Sequence, residues 1–495
     1  MDTRLLLSCL KVKKIYGRLP EKINNLEQDS RKVNTGDLFI CTPGFTVDGH
    51  DFYEEALSNG ASIIVSERHL EMDLNSSALI VVNDTKKAMA LLANKFYDYP
   101  SSKMTAYGVT GTNGKTSVTT LMHAMLRKEG KTAALSGTNG IKINDEMFPS
   151  DNTTCDILTN QRELKKAVTS GVENMVMEVS SHGIEQGRLH GIDFDVVTFT
   201  NLSHEHLDYH HTMEKYGYTK GLLFAQLGNN LQNAKIVVLN RDDPWYSAYK
   251  GMTAYEVISY GIKEDANFFA ENILYNEDGT HYTLHSPEGT YQVETSLLGE
   301  FNVYNSLAAI ASLYADGYSV SELVTILKTV AFVPGRMEKV EINAPATVYL
   351  DYAHTPDAIE KSIQSVLPFK KRKIIFVAGT GGDRDKGKRP FMAEKASKAD
   401  YVILTINDPR YEDTEEILRA MEKGMQHNSY VLIADRREAI SHAIELAEPD
   451  DIVIVAGKGP EDYQIIGGEK LPHNDIEIIK ESSAKKYAGF VSNTD

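Results

Sequence analysis

A glycine-rich turn between an apolar strand and an amphipathic helix is the feature that most limits how this chain can fold. The turn covers residues 108–117 and reads Gly-Val-Thr-Gly-Thr-Asn-Gly-Lys-Thr-Ser. Residues 104–109 are typical of a buried strand, and the residues after the turn place apolar side chains at helical spacing: Val118, Leu121, Met122, Met125 and Leu126. Such a turn points backbone N–H groups and a helix N-terminus at an anion, so it predicts a phosphate site.

Two side chains of this turn indicate a nucleotide. Lys115 supplies a mobile positive charge for β- and γ-phosphates, and the Thr116 hydroxyl is a ligand for Mg²⁺. The strict motif has glycine where this chain has Val109, so Gly108 and Gly111 are the turn glycines of a variant loop. An ordinary surface turn is the alternative, but the strand, turn and helix in succession favour a nucleotide site.

Length, charge and cysteine content narrow the class of protein. A chain of 495 residues predicts two to four domains. Its formal net charge of −17 argues against general binding to nucleic acid or anionic membranes. Three widely spaced cysteines form no metal-ligand pattern and fit a reducing compartment, and no apolar run reaches about 18 residues. We therefore expect a cytoplasmic protein without membrane insertion.

Strand and helix patterns alternate along the chain, which predicts an α/β fold in three domains. Proline and serine interrupt the pattern at residues 97–102, and proline and glycine end a helical stretch at 332–336. The expected domains are therefore a small α/β unit at 1–98, a central unit at 99–333 and a third α/β unit at 334–495. The central unit should contain a mostly parallel sheet like that of P-loop ATPases, and the third should be Rossmann-like.

Polar residues beyond strand ends are the other candidates for chemistry. Glu178 closes an apolar strand and is a candidate Mg²⁺ ligand, whereas the six histidines within 182–211 could be ligands, proton shuttles or ordinary polar residues. In the third unit, Arg384 and Arg410 could pair with a carboxylate, and Asp408 and Glu461 with an ammonium. A solvated loop edge is the alternative for this last group.

Four motifs together resemble the Mur ligases, ATP-dependent peptide-bond-forming enzymes of peptidoglycan synthesis. They are Gly-Thr-Asn-Gly-Lys-Thr at 111–116, Glu-Val-Ser-Ser-His-Gly at 178–183, Asn-Leu-Ser to His-Leu-Asp-Tyr-His within 201–210, and Asp-Tyr-Ala-His at 351–354. Within that family the chain is similar to the UDP-N-acetylmuramoyl-tripeptide synthetases, which add a diamino acid to UDP-N-acetylmuramoyl-L-alanyl-D-glutamate. The resemblance implies roles in cell wall biogenesis, cell shape and cell division, with ATP and Mg²⁺ required. It does not address oligomeric state, for which we expect a monomer.

The resemblance also implies roles for individual residues. Lys220 matches a lysine that the family carbamylates, and its carbamate would bind Mg²⁺ together with Thr116, Glu178 and His206. Lys115, His206 and Lys220 are then the catalytic residues. The ATP site would comprise Gly111, Thr112, Asn113, Gly114, Lys115, Thr116, Ser117, Asn302, Arg336, Asp351 and His354. The muramoyl nucleotide would be held by Ser30, Gly44, Thr46, Asp48, His50, Asn152, Thr153, Thr154, Ser180, Gln186 and Arg188. The amino acid would be held by Arg384, Asp408, Arg410, Gly457 and Glu461.

The chain departs from the family pattern in four motifs. Cys155 replaces a proline, Glu205 an aspartate, and Pro460 the histidine that precedes Glu461. The specificity loop reads Asn-Asp-Pro-Arg at 407–410, where diaminopimelate-adding members have Asp-Asn-Pro-Arg. Arg410 favours the second carboxylate of meso-diaminopimelate, and Asp408 favours the ammonium of L-lysine, so meso-diaminopimelate is expected and lysine is the main alternative. More distant alternatives are a folylpolyglutamate synthetase and a non-catalytic nucleotide-binding regulator.

Overall fold

Strands and helices alternate along most of the chain, which confirms the predicted α/β class. The computed structural model describes residues 1–44, 47–150 and 152–487. They divide into two units. The first contains Met1–Gly108, Gly130–Asp195 and Ala225–Lys235, and the second contains Val109–Glu129, Val196–Phe224 and the chain from Ile236. Each of the two units consists of separated segments of the sequence and does not correspond to one of the predicted domains. The predicted ranges 1–98, 99–333 and 334–495 therefore stay a prediction.

The first unit contains two groups of hydrogen-bonded strands. Its strands are β1 (Lys14–Tyr16), β2 (Leu26–Glu27), β3 (Leu38–Ile40), β4 (Ile63–Ser66), β5 (Ala78–Val81), β6 (Thr105–Thr110), β7 (Ala133–Gly137), β8 (Gly140–Ile143), β9 (Glu146–Phe148) and β10 (Asn174–Val179). β6 crosses into the second unit at its last two residues. One sheet has the order β1-β5-β4-β3-β2, parallel except for β1. In the other group β10 pairs in parallel with β7, and β8 and β9 follow antiparallel.

The second unit contains a further run of strands and a separate sheet. Its strands are β11 (Val196–Phe199), β12 (Ile236–Asn240), β13 (Glu256–Gly261), β14 (Phe268–Asn276), β15 (Gly279–Ser286), β16 (Gly289–Thr295), β17 (Glu338–Lys339), β18 (Thr347–Asp351), β19 (Ile374–Thr380), β20 (Tyr401–Ile406), β21 (Tyr430–Leu432), β22 (Ile452–Ala456), β23 (Tyr463–Ile466) and β24 (Glu469–Pro472). β11 to β14 pair in parallel, and β15 and β16 extend them antiparallel. The expected mostly parallel central sheet is confirmed in these pairings.

The C-terminal sheet has the order β17-β18-β22-β19-β20-β21 and is parallel except at β17. β19 and β22 are buried along their whole length. Two apolar clusters fill the two sides of this sheet, and the strands β18 to β22 contribute alternate residues to them. A strand covered on both faces needs apolar residues at every position, which explains the continuous Ile/Val/Phe/Ala runs in the sequence.

Helices connect and cover these strands. The α-helices of the first unit are Thr3–Leu7, Tyr53–Ser58, Thr85–Phe96, Ile157–Thr169 and Ser181–Glu185. Those of the second unit are Lys115–Lys128, Leu207–His210, Met213–Ala225, Tyr246–Met252, Glu300–Tyr314, Val320–Leu327, Pro356–Val366, Lys388–Ala396, Thr414–Glu422, Arg436–Leu446 and Asp475–Tyr487. Aspartates fix several starts: Asp84, Asp413 and Asp435 each accept a backbone N–H three residues ahead. Among the described residues, none of these helices combines the length and apolar character needed to cross a bilayer.

Candidate active site

The predicted phosphate loop is a turn that only small residues can form. Gly111 and Gly114 have φ values of +152° and +88°, and a Cβ on Gly114 would lie 2.5 Å from the Asn305 Oδ1 atom. Asn201 stabilises the turn through two hydrogen bonds. The Thr112 N–H donates to the Asn201 carbonyl, and the Asn113 N–H donates to the Asn201 side-chain oxygen. The helix Lys115–Lys128 begins directly after Gly114. The loop therefore presents a helix N-terminus in the way that phosphate binding requires.

Lys115 lies over the loop that it follows. Its Nζ atom donates to the carbonyl oxygens of Gly111 and Thr112, at 2.9 Å each. The ammonium is therefore hydrogen-bonded to backbone oxygens beside the position where the loop would bind phosphates. Phosphate oxygens are stronger acceptors than these carbonyls, so a nucleotide can recruit the side chain by a short movement.

Lys220 shares one of these carbonyls, although sequence alone would place it on a helix surface. It is 1% exposed, and its Nζ atom donates to Gly111 O at 2.8 Å and lies 4.7 Å from the centre of the Tyr216 ring. Burial, with the nearby Lys115 charge, holds the pKa of Lys220 well below its ordinary value. A neutral amine is the form that reacts with carbon dioxide, so this environment fits the implied carbamate.

A cavity of about 410 Å³ opens beside the loop within the second unit. Asn113, Thr116, Arg336 and Asp351, all predicted for the nucleotide, are among its lining residues. Asn302 is buried behind the wall, where its side-chain oxygen accepts from the Asn305 amide at 3.0 Å. The cavity wall also includes Tyr304, which donates to Asp242 at 2.8 Å.

Arg336 and Asp351 join the phosphate loop to the C-terminal sheet. The Arg336 guanidinium donates to the Thr116 hydroxyl at 3.3 Å and lies 4.6 Å from the centre of the Tyr352 ring. Asp351 is buried and accepts the N–H groups of Met337 and Ala353 and the Ser362 hydroxyl. Burial raises the pKa of Asp351, and these hydrogen bonds together with Arg336 oppose that rise. Asp351 therefore orders the turn that carries Arg336.

Glu205 lies between two of the histidines that sequence reasoning singled out. Its carboxylate oxygens are 3.7 Å from His206 Nε2 and 3.7 Å from His354 Nε2. The His354 Nδ1–H donates to the Tyr352 carbonyl, and burial lowers the pKa of His354 to about 4. Burial of Glu205 is outweighed by nearby positive groups, first His206, so its pKa lies below the ordinary value. His354 is thus a neutral imidazole at pH 7.

In the first unit, the structure brings together most residues predicted for the muramoyl dipeptide. The buried Glu178 carboxylate accepts the N–H and hydroxyl of Thr138, whose hydroxyl is 3.1 Å from that of Thr153. The Thr154 hydroxyl donates to the Glu178 carbonyl and accepts the N–H of Ser180.

Arg188 completes this cluster. Its guanidinium donates to the Gln186 side chain at 2.7 and 3.0 Å and to the Thr154 carbonyl at 2.8 Å. Asn152 is exposed, and its N–H lies 3.4 Å from the Ser150 hydroxyl. The dipeptide residues predicted from distant motifs are therefore neighbours, apart from the exposed Asn152.

The residues predicted for the uridine diphosphate have well-defined partners of their own. Ser30 is buried and donates to Glu55 at 2.5 Å. Asp48 accepts from the backbone and ring of His50, whose Nε2 atom accepts the N–H of Glu67. The Gly44 N–H donates to the Val47 carbonyl. Thr46 lies outside the described residues.

The residues predicted for the amino acid lie on three loops of the second unit. Arg384 is exposed, whereas Asp408 and Glu461 both contact the Nζ atom of Lys458, at 3.0 and 2.7 Å. The Arg410 Nε atom is buried and has no hydrogen-bond partner in the part of the chain that the structure describes. Gly457 has a φ of +117°, and a Cβ there would meet the Asn407 amide at 2.5 Å. Residues 407–410 and 457–461 are thus packed against each other.

Sequence reasoning missed several residues that build the site. Asn305 follows Asn302 by three positions, so the two share a helix face, and this spacing could have identified it. Lys458 lies between the predicted residues Gly457 and Glu461, and no role was predicted for it. No signal in the sequence pointed to Tyr216, whose hydroxyl is 3.2 Å from that of Thr112.

The described residues contain no group of three or more His, Cys, Asp or Glu side chains arranged to hold a metal ion. Mg²⁺ commonly binds one or two protein oxygens and completes its shell with substrate phosphates and water. The Thr116 hydroxyl at the start of the loop helix is an oxygen ligand of that type, and a carbamate on Lys220 would add an anionic one. The Thr116 hydroxyl therefore fits Mg²⁺ delivered with a nucleotide.

Three family models match the chain in succession. They are described as Mur ligase family, catalytic domain (residues 22–97), Mur ligase middle domain (109–313) and Mur ligase, glutamate ligase domain (335–459). A similar relative is the UDP-N-acetylmuramyl-tripeptide synthetase 2 of Oceanobacillus iheyensis, 53% identical over 98% of this chain and 99% of that protein.

Two other relatives carry names that differ in the amino acid. The UDP-N-acetylmuramoyl-L-alanyl-D-glutamate–2,6-diaminopimelate ligase of Geobacillus thermodenitrificans is 48% identical over 92% of this chain and 94% of that protein. The corresponding L-lysine ligase of Staphylococcus haemolyticus is 42% identical over 99% of both chains. A solved structure of a 2,6-diaminopimelate ligase superposes with a TM-score of 0.70 at 31% identity, covering 98% of this chain and all of that one.

Proposed function

The chain belongs to the Mur ligase family, and we propose that it joins a diamino acid to the D-glutamyl side-chain carboxylate of UDP-N-acetylmuramoyl-L-Ala-D-Glu at the expense of ATP. We propose meso-diaminopimelate as that amino acid and L-lysine as the alternative. The observation that carries the ligase assignment is the pair of lysines, Lys115 and Lys220, that donate to one carbonyl of the phosphate loop. A protein that only binds a nucleotide has no use for the second, buried amine.

The reaction divides into two balanced steps. First, the D-glutamyl carboxylate attacks the γ-phosphorus of ATP, the bond from that phosphorus to the bridging oxygen breaks, and ADP leaves. Second, a neutral amine of the diamino acid attacks the acyl carbon of the resulting acyl phosphate, the carbon–oxygen bond to phosphate breaks, and the proton lost by the amine ends on the released phosphate as the amide forms. Both steps move negative charge between oxygens, so electrostatic stabilisation is the main task of the protein.

The side chains of the loop perform that task. Lys115 moves from the Gly111 and Thr112 carbonyls to the β- and γ-phosphate oxygens, while Arg336 stays beside Thr116 and neutralises charge at the mouth of the loop. When bound, Mg²⁺ supplies Lewis-acid neutralisation of the phosphate oxygens. We propose that Thr116, His206, Glu178 and the carbamate of Lys220 are the residues that would hold it.

The three predicted sequence ranges divide the substrates among them. Residues 1–98 would bind the uridine diphosphate, residues 99–333 ATP and the dipeptide, and residues 334–495 the amino acid. Support comes from the clustering of Thr154, Ser180 and Arg188 in one unit and of Asp408, Arg410 and Glu461 in the other. We propose that the protein acts in the cytoplasm, as a monomer, in peptidoglycan synthesis.

Arg410 supports meso-diaminopimelate. This amino acid carries a second carboxylate that lysine lacks. A guanidinium whose buried Nε atom has no hydrogen-bond partner among the described residues is suited to receive it. Lysine would instead bring an ammonium toward the same cation. Asp408 has been the argument for lysine, but its carboxylate is already paired with Lys458.

Turnover with purified protein tests the proposal. The protein is supplied with ATP, Mg²⁺ and UDP-N-acetylmuramoyl-L-Ala-D-Glu, and phosphate release and product mass are followed with meso-diaminopimelate or L-lysine. We expect amino-acid-dependent phosphate release, and at least tenfold higher kcat/KM for meso-diaminopimelate, about 1.4 kcal/mol in transition-state binding. A tenfold preference for lysine would reverse the choice of amino acid.

Two controls address the distant alternatives. Lys115→Ala should abolish tripeptide formation, and an undiminished rate would refute the assignment. A folate substrate with glutamate tests the folylpolyglutamate alternative. A nucleotide-binding regulator would bind ATP without any amino-acid-dependent phosphate release.

A further inference from the structure

A buried lysine lies beneath the loops that are proposed to bind the amino acid. The side chain of Lys458 is 0% exposed, and its Nζ atom is 3.0 Å from Asp408 Oδ1 and 2.7 Å from Glu461 Oε2. The two carboxylates keep exposed edges of 16% and 26%. A ligand can therefore reach Asp408 and Glu461 but not Lys458.

Each carboxylate of this cluster is held in place by a second donor. Asp408 Oδ1 also accepts the backbone N–H of Ile465 at 2.9 Å, and Glu461 Oε1 accepts the hydroxyl of Tyr352 at 3.0 Å. Two charge-assisted contacts from one ammonium together with these bonds leave little freedom to either side chain. Lys458 thus determines both the position and the net charge of the cluster.

Arg410 belongs to the same assembly through its backbone. Its N–H donates to the Ile465 carbonyl at 3.0 Å, and its carbonyl accepts the N–H of Gly467 at 2.7 Å. Its φ of +55° lies in the left-handed region, which these two bonds stabilise. Ile465 and Gly467 belong to the hairpin of the antiparallel strands β23 and β24, so the hairpin that fixes Asp408 also fixes the backbone of Arg410.

The charges of the four side chains balance. Arg410 and Lys458 are cations, and Asp408 and Glu461 are anions. The end of meso-diaminopimelate that distinguishes it from lysine carries an ammonium and a carboxylate and is neutral, whereas that of lysine carries an ammonium alone. A set of side chains with no net charge complements the first, and a set with one excess negative charge complements the second.

We propose that Lys458 is a specificity-determining positioning residue: by neutralising Asp408 it removes the attraction for a lone ammonium and leaves Arg410 to select an amino acid with a second carboxylate. This inference rests on the proposed ligase function. It also explains how the loop can carry aspartate at position 408 without becoming selective for lysine.

The test is the ratio of kcat/KM for meso-diaminopimelate to kcat/KM for L-lysine, measured in four forms of the full chain. Lys458→Met leaves two carboxylates facing one guanidinium and should lower the ratio about tenfold or more. The double variant Lys458→Met/Asp408→Asn restores the balance of charge and should return the ratio to within about threefold of the wild type. Asp408→Asn alone leaves excess positive charge and should raise the ratio.

Equal losses with both amino acids in Lys458→Met, with the ratio unchanged, would overturn the inference, because that pattern is expected of a purely structural residue. Failure of the double variant to restore the ratio would also overturn it. If Lys458→Met does not fold, Asp408→Asn decides, and an unchanged or lowered ratio there contradicts the charge argument.

Failure of the proposed function is distinguishable from failure of this inference. If the wild type forms no product with either amino acid, the ligase assignment itself is wrong. If the wild type prefers lysine, the choice of meso-diaminopimelate is wrong, whereas the direction in which the ratio changes among the variants still decides the role of Lys458.

Discussion

The ion pair between Arg436 and Asp475 should stabilise the C-terminal part of the chain by an amount that can be measured locally. Both side chains are 0% exposed. The Arg436 Nε and Nη2 atoms donate to the two carboxylate oxygens of Asp475, at 3.0 and 2.5 Å, and Nη1 donates to the Asn407 side-chain oxygen at 2.8 Å. His473 lies 2.8 Å from the same carboxylate. The pair thus supports Asn407, the first residue of the proposed specificity loop.

The pKa of Asp475 gives the magnitude. Burial alone would raise it, but the Arg436 guanidinium and His473 outweigh burial and lower it from 3.8 to about 2. A pKa lowered by that amount corresponds to about 2 kcal/mol of folding free energy. Because the folded-state pKa is depressed, this contribution is complete above pH 3.8 and is lost as the pH falls toward about 2.

Asp475→Asn keeps the shape of the side chain and removes its charge, so Arg436 is left buried without a counter-ion. At neutral pH we expect the amides of the helices Arg436–Leu446 and Asp475–Tyr487 to exchange with deuterium about 30-fold faster, which corresponds to about 2 kcal/mol in opening free energy. Mass spectrometry of peptides from these helices measures the rates. Asp435→Asn is the matched control, because asparagine caps a helix about as well as aspartate at this exposed position.

An acceleration of less than about threefold in both helices would refute the reasoning. The reasoning would also be refuted if the ratio of the exchange rate in Asp475→Asn to that in the wild type were the same at pH 3 as at neutral pH. At pH 3 the ion pair of the wild type should already stabilise the folded state less. Replacing both partners, Arg436→Met/Asp475→Leu, should restore most of the protection, because an apolar pair leaves no unpaired charge.

Three further predictions concern the phosphate loop. Gly114→Ala should raise the KM for ATP at least tenfold in phosphate-release assays, because the new Cβ would lie 2.5 Å from Asn305 Oδ1. Gly130→Ala is the control, because Gly130 has a similar positive φ and a Cβ there would have no atom within 4 Å. An equal effect of both substitutions would contradict the steric argument. Lys220→Met should reduce phosphate release about 100-fold or more, whereas Lys215→Met on the exposed face of the same helix should not. Tyr216→Phe removes one hydrogen bond to Thr112 and keeps the ring, so kcat/KM for ATP should fall about fivefold, which is about 1 kcal/mol. A loss as large as that of Lys220→Met would show that the hydroxyl does more than make this hydrogen bond.

Sequence patterns anticipated the fold because they record local requirements. Gly111 and Gly114 of the phosphate loop adopt positive φ values, whereas Gly108, which we expected to be a turn glycine, lies in strand β6. The parallel strands β19 and β22 are buried on both faces and therefore required continuous apolar runs that are visible in the sequence. The resemblance extended this to distant residues, and the structure brings Thr154, Ser180 and Arg188 together as neighbours within one unit.

Charge pairing could not be read in the same way. Asp408 reads as a free acid in the sequence, and Lys458 follows it by 50 residues, so only the packing of two loops reveals that they neutralise each other. Arg436 and Asp475 are separated by 39 residues and look like ordinary surface charges.

The amino-acid sequence by itself determined the α/β class, the phosphate loop and the family, because glycine, apolar periodicity and short motifs act over a few residues. The tertiary structure decided which ionic groups are buried and which partner each one has. Electrostatic free energy depends on distance and on exclusion of water, and both are set by contacts between loops that lie far apart in the chain. The selectivity proposed for Lys458 is a property of that second kind.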